Sequence, residues 1–220
     1  MMTSQEKVEE TIAFIKRIHS NAESGHDWWH TYRVLNTSRI ISKNYSVNNL
    51  LIDLGALLHD IADAKFHKGD EEIGPAMAMK YLKTLDIEET LINKIIDIIR
   101  FISFKNKDLK KPNFIEFKII QDADRLDALG AIGIARAFSY GGYKRREMYN
   151  PDISPDINLS DEQYKKHKGP TINHFYEKLF MLKEMLNTPE AREIAEKRQN
   201  FMQMYLSQFY TEWKGEDLLQ

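Results

Sequence analysis

Apolar residues recur along this chain at spacings of three and four, and strict alternation is nearly absent. That periodicity predicts helices throughout, and so an all-α fold built as a helical bundle. Val8, Ile12, Ile15 and Ile18, with Thr11 and Phe14 beside them, mark a first amphipathic helix. Gly25 interrupts the pattern. It places His26 and Asp27 in a turn and His30 in the first turn of a second helix, with Val34, Ser38, Ile41 and Tyr45 on one face. Ser46 has the chemistry of an N-cap for a third helix, where Leu50, Leu54, Leu57 and Ile61 stay in register. A polar loop follows over 64–70, then a short helix after Gly74-Pro75 with Met77, Tyr81 and Leu82 as its apolar side. Asp86-Ile87-Glu88-Glu89 has the form of a capping box and opens a strong helix through Leu91, Ile95, Ile98 and Ile102.

Further along, Phe117, Ile120, Asp124 and Asp127 are spaced for one helix from Phe114 to Tyr140, stopped by Gly141-Gly142. Residues 143–170 hold Pro151, Pro155 and Pro170, many charges and few aliphatics, so they read as a long loop serving as a wall or lid of a pocket. Two helices close the chain. One covers 172–187, and the other starts at Thr188-Pro189, an N-cap followed by proline at N1, and carries Phe201, Tyr205, Phe209 and Trp213 as a stripe. No repeat, low-complexity tract or composition shift marks a boundary, so 1–220 reads as a single domain.

Composition narrows the function classes. Hydrophobic residues make up 42% of the chain, enough for a substantial core. Lys and Arg total 31 against 33 Asp and Glu, so no basic field draws the chain to nucleic acid. Cysteine is absent, which excludes disulfides and thiolate metal sites and fits a reducing compartment. The first residues are charged and amphipathic, and no run approaches the ~18 apolar residues of a membrane span. The expectation is a cytoplasmic protein without a membrane partner.

Candidate chemistry concentrates in three stretches: His26 to Arg33, Leu57 to Asp63, and Gln121 to Asp127. His59 and Asp60 are bonded neighbours and point about 100° apart on a helix. They can share one ion only with ligands brought from elsewhere. His30, His59, Asp60 and Asp124 form the working set, and mixed nitrogen and oxygen ligands suit a divalent first-row metal. Asp122, Asp124 and Asp127 lie on different parts of one helix, and inward carboxylates there are costly unless paired or bound to metal. Asp127 could hold Arg125 or orient a ligand imidazole. His174 and Lys178, at i,i+4, aim at one spot.

The separated His30, the adjacent His59-Asp60 pair and the distant Asp124 resemble, in order, the HD superfamily of metal-dependent phosphohydrolases. The likeness extends to a bacterial subfamily of small single-domain members through GHDWWHTYRV (25–34), LLHDIAD (57–63), QDADRLDALGAIGIARAFSYGG (121–142) and INHFYEKL (172–179). It implies an HD-domain bundle and one divalent ion, Mn, Mg, Fe, Co or Ni, held by His30, His59, Asp60 and Asp124. Dinuclear relatives supply further histidines between the pair and the last aspartate. Here only His67 stands between Asp60 and Asp124, which favours one metal and counts against a diiron oxygenase.

The resemblance further implies hydrolysis of a phosphate ester or anhydride, with nucleotides the natural substrate class, by attack of metal-activated water. An acidic residue at the place of Asp63 is typical of the family and is the candidate to orient or deprotonate that water; Glu71 and Glu72 are weaker candidates. Lys65, Arg136, His174 and Lys178 are the candidate substrate contacts, with Lys68 and Arg125 as lesser ones. The alternative is a non-catalytic nucleotide- or metal-binding HD module, although every ligand position is occupied. Oligomeric state and preference among nucleotides have no sequence signal.

Overall fold

The computed structural model describes residues 2–21, 27–62, 70–103, 112–157 and 169–219. Every regular element among them is helical, and none is a strand, in line with the all-α expectation. Backbone proximity divides the chain into two units, Met1–Asp124 and Arg125–Gln220, taken here in turn.

In the first unit, α1 (Ser4–Ile18) starts at Thr3. The Thr3 hydroxyl accepts the Glu6 N–H while the Glu6 carboxylate accepts the Thr3 N–H, a closed capping box. The helix buries Val8, Thr11 and Ile15. α2 (Trp28–Ser42) is capped by Asp27, whose carboxylate accepts the His30 N–H at 2.9 Å. α3 (Asn49–Leu58) is capped by Asn48 rather than by the expected Ser46. The Asn48 side chain accepts the Leu51 N–H, and its own N–H is held by the Glu116 carboxylate at 3.0 Å. A tertiary partner thus chose between two suitable residues.

Leu51, Ile52, Leu54, Gly55, Ala56, Leu57 and Leu58 of α3 are all buried, against α1, α2 and α5 (Glu89–Phe101). Burying each large aliphatic side chain contributes about 1.5–3 kcal/mol, so α3 is the anchor of this unit. α4 (Ile73–Leu82) packs on α5. The capping box expected at Asp86 is absent. Asp86 has φ +50°, ends the 3-10 turn Lys83–Leu85, and gives its carbonyl to Lys7 Nζ at 2.7 Å. A cap needs extended backbone, so α5 begins after Glu88 without a side-chain cap. Ile119 and Ile120 of α6 (Ile115–Asp127) are fully buried, and Ile120 closes with Ile98 over Gly55.

In the second unit, the expected continuous helix from Phe114 to Tyr140 is two helices. α6 ends at Asp127 and α7 spans Gly130–Tyr143. Gly130 takes φ +74°, with the Arg198 stem against its Cα, and the Arg198 guanidinium donates to the Leu126 carbonyl released at the end of α6. Apolar spacing continues on both sides of this break, which is why periodicity conceals it. Gly141-Gly142 does not stop α7. A side chain at Gly141 would collide with Thr171, whose Oγ1 would lie 2.1 Å from its Cβ.

The helix expected over 172–187 is also interrupted. α8 (Asn173–Glu177) ends at Lys178, with φ −144° and ψ −54°, and Leu179–Met185 is a 3-10 helix. Arg125 donates to the Met185 carbonyl and Arg192 to the Leu186 carbonyl, taking up acceptors that would otherwise serve a helix end. α9 (Pro189–Lys214) begins at Thr188 and Pro189 as expected, the Thr188 hydroxyl accepting the Ala191 N–H. Its inner face is Ala191, Ala195, Met202 and Leu206, whereas Phe201 and Trp213 of the expected stripe are about half exposed, at 49% and 51%.

The described part of 143–170 is better packed than its composition suggests. Tyr149 lies edge-on against Phe209, Tyr210 and Trp213, so aromatic rings supply what aliphatics do not. No helix among the described residues is long and apolar enough to cross a membrane.

Candidate metal centre

Two local devices aim two imidazoles. Asp27 caps α2 through the His30 N–H, fixing the helical turn from which His30 projects, and the His30 side chain is buried. α3 stops at Leu58, and His59 is its C-cap residue. The His59 Nδ1 lies 2.7 Å from the Ala56 carbonyl, which can only accept, so Nδ1 carries the proton and Nε2 of the neutral ring presents a lone pair. This is the backbone arrangement that orients a metal-ligating imidazole.

The His59 Nε2 meets the His30 Nε2 at 3.2 Å, with the rings inclined by 66°. Asp124 Oδ1 from α6 lies 3.5 Å from His30 Nε2 and 3.9 Å from His59 Nε2. His30, His59 and Asp60 offer ligand atoms within 4.8 Å of one another. This donor set suits a cation. Two imidazole nitrogen atoms and carboxylate oxygens face one small region, the mixed donor set that a divalent cation takes.

Other candidates fall elsewhere. Asp63, Lys65, Lys68 and His67 lie outside the described residues, as does His26. Glu71 is exposed, and Glu72 accepts both Nε and Nη2 of Arg100 at 3.1 and 2.6 Å, an ion pair that lowers its pKa. Asp122 is fully buried on α6. Asp127 accepts from Arg136, which is thereby engaged in an ion pair, while Arg125 reaches the Met185 carbonyl. His174 lies in α8 and Lys178 is its C-cap residue, whose N–H donates to the His174 carbonyl at 3.1 Å. The His174 imidazole is held down to about 3, first by burial, then by the positive charges of Lys178 and Arg146. Arg146 was invisible to the sequence reading, because it sits in a charged loop with no spacing relation to His174.

Comparison with known proteins agrees with this geometry. An HD-domain family profile matches residues 28–129, the span that contains His30, His59, Asp60 and Asp124. YpgQ of Bacillus subtilis, an uncharacterized protein, is 33% identical over 218 residues, covering 98% of each chain. Its crystal structure in complex with ADP matches with TM-score 0.75 at 31% identity, over 96% of this chain and 97% of that one. An HD-superfamily hydrolase from Bacillus thuringiensis is 42% identical, with TM-score 0.76 over 96% and 99% of the two chains. A Lactobacillus plantarum protein matches with TM-score 0.83 at 33% identity, over 98% and 100%. With helical fold, histidine-aspartate grouping and full-length relatives in agreement, this chain belongs to the HD superfamily and has its hydrolase fold.

Proposed function

We propose that this protein is a metal-dependent phosphohydrolase acting on a phosphate ester or anhydride of a nucleotide. The observation that carries the reading is the convergence of His30 Nε2, His59 Nε2 and Asp124 Oδ1, with Asp60 beside them. These four residues would hold one divalent ion, and Mn, Mg, Fe, Co and Ni all suit the donor set. When bound, such an ion lowers the pKa of a water molecule and offsets charge on a phosphoryl group.

The chain's own residues do the rest. The Ala56 carbonyl keeps the His59 Nε2 lone pair directed at the ligand position. Asp63 is the proposed group that orients the attacking water and takes its proton. Lys65, His174 and Lys178 are proposed to hold the phosphates, whereas the pairing of Arg136 with Asp127 supports a structural role for Arg136. YpgQ was crystallised with ADP, which supports a nucleotide as the ligand class here. The full-length match to single proteins supports reading 1–220 as one functional domain.

The test is a screen of nucleoside mono-, di- and triphosphates with each of the five metals, identifying phosphate or pyrophosphate as product. Turnover that stops on chelation and returns with metal is expected. Lack of turnover on every phosphorylated compound, with nucleotide binding retained, would instead leave a binding module.

A further inference from the structure

The second unit holds a cavity of about 300 Å³, walled by Tyr149, Tyr176 and Tyr210 together with Pro151, Pro155 and Asn173. No charged side chain among the described residues lines it. Backbone bonds bring these walls together. Thr171 N–H donates to the Glu147 carbonyl at 2.9 Å and Ile172 N–H to the Met148 carbonyl at 3.1 Å, so Tyr149 and Asn173, the next residues of the two segments, enter the same cavity. The Asn173 amide then donates to the Ile153 carbonyl at 2.9 Å, and the Glu177 carboxylate accepts the Asp156 N–H at 3.2 Å. Asn150 accepts the Asp152 N–H at 3.0 Å with its side chain and the Ile153 N–H at 3.2 Å with its carbonyl. The segment over 150–156 is thus folded on itself and pinned to α8 at two points. A ligand entering the cavity is spared the cost of ordering it.

The walls are flat and apolar. Tyr149 lies edge-on to Tyr210 with ring centres 5.4 Å apart, and Tyr176 edge-on to Phe180 at 5.5 Å, so the rings are held in place by their neighbours. Aromatic and proline rings make their best contact with another flat ring, and such stacking is tolerant of which heterocycle it meets.

The polar groups narrow the choice. The Tyr176 and Tyr210 hydroxyls lie 3.2 Å apart, and the bond between them uses one of their two hydrogens. Among the described residues nothing accepts the other. Burial, and then the Tyr176 hydroxyl, push the Tyr210 pKa up, so this hydroxyl keeps its proton. The pair, both members of which line the cavity, therefore has one O–H left to give and no charge to match. Successive helical residues point about 100° apart, so Asn173 and His174 leave α8 on different faces. At the lower end of the usual range for small-molecule sites, roughly 300–1,000 Å³, the cavity suits a nucleoside better than a larger cofactor.

We propose that this cavity binds the base of a purine nucleoside, a flat, uncharged ring that stacks on the tyrosine and proline faces and accepts the hydroxyl pair's remaining hydrogen through a ring nitrogen. The site shares no residue with the metal set, and it stands whether or not the hydrolase reading does.

The test is binding of adenosine, which carries no phosphate, to the metal-loaded protein by calorimetry. One equivalent should bind with a dissociation constant below about 1 mM. Tyr149→Leu should weaken binding about tenfold or more, as for loss of a stacked base. Tyr210→Phe should weaken it about three- to tenfold, as for loss of one neutral hydrogen bond. Ser154→Trp, in an exposed part of the lining, should fill the cavity and abolish binding. Metal content should stay at the parental value in all three. Absence of adenosine binding to the parent, or parental affinity in both Tyr149→Leu and Ser154→Trp, would overturn the site. The Tyr149 ring also packs on Phe209 and Trp213, so if Tyr149→Leu fails to fold, Tyr210→Phe and Ser154→Trp decide in its place. Binding that His59→Ala abolishes and Ser154→Trp spares would put adenosine at the metal centre and overturn the cavity. A parent that hydrolyses no nucleotide, yet binds adenosine in a way that Ser154→Trp blocks, loses the hydrolase reading and keeps the site.

Discussion

The two units each assemble histidine with charged neighbours, and the charges have opposite sign. In the first, His30 and His59 turn their Nε2 atoms toward each other, with Asp124 at 3.5 and 3.9 Å and Asp60 adjoining. In the second, the charges of Lys178 and Arg146 bear on the His174 imidazole and, after burial, hold its pKa down. The first grouping offers imidazole nitrogens and carboxylate oxygens to one region, and in the second two positive charges bear on one imidazole. One residue type thus serves two purposes, and the sign of its neighbours tells which.

The comparison is broken most decisively in the first unit. His59→Ala and Asp124→Ala should fold, lose bound metal, and lower kcat by about a thousandfold or more, since the several kcal/mol of charge stabilisation that a metal supplies would go with it. Chelation of the parent should have the same effect and be reversed by added metal. Full metal content and activity in both variants would show that the charge arrangement has another purpose.

How far the sequence foretold this arrangement differs between the units. α3 was plain, because a run of buried aliphatics at helical spacing can be little else, and its end at Leu58 puts His59 where the adjacent Asp60 already suggested. The pairing of His59 Nδ1 with the Ala56 carbonyl was not legible, since a backbone atom leaves no mark on residue type. The breaks at Gly130 and Lys178 were hidden for a related reason. Arg198 takes up the Leu126 carbonyl beside the first break and Arg125 the Met185 carbonyl at the end of the 3-10 helix that follows the second, while the apolar spacing runs on undisturbed. Backbone bonds between 147–148 and 171–172 join the segment after Arg146 to the one before His174, and no periodicity reports such a clamp. Local patterns were readable, and long-range satisfaction of backbone groups was not.

In the second unit the expected effects are smaller. Lys178→Gln should lower kcat/KM about 10- to 100-fold, from loss of a charge-assisted bond of roughly 1.5–3 kcal/mol. Metal content, read by elemental analysis, should not change. A loss of metal in this variant would make the two groupings interdependent and blunt the contrast between them.

The state of His174 gives a milder, pH-dependent effect. Its folded pKa is held down to about 3 from an ordinary 6.5. The folded protein therefore binds fewer protons than the unfolded chain, and the stability this confers is present above the unfolded value and is lost as pH falls from 6.5 toward 3. The slope for one such group approaches roughly 1.4 kcal/mol per pH unit. Urea midpoints for metal-free parent and His174→Gln should diverge less at about pH 5 than at about pH 7, as the parent loses stability that the variant never had at stake. Parallel curves for parent and variant would mean that His174 is readily protonated in the folded protein.

The smallest effect tests how the first unit holds its imidazoles rather than what surrounds them. His30 is the third residue of α2, and its own N–H is the donor that Asp27 accepts at 2.9 Å. The cap thereby does two things: it satisfies an end group of the helix and fixes the turn from which the His30 ring reaches His59. Asp27→Ala should cost about 1 kcal/mol of stability by loss of the cap. If the cap also positions the ring, metal affinity should fall as well, and the loss should exceed what a destabilised but correctly folded protein shows. Asp27→Asn separates the two contributions from charge. Asparagine caps as well as aspartate, so near-parental stability and metal affinity are expected. Should Asp27→Asn instead lose metal as strongly as Asp27→Ala, the carboxylate charge of Asp27 would itself belong to the negative grouping. The first unit would then hold its cation with one more acid than the four residues counted here.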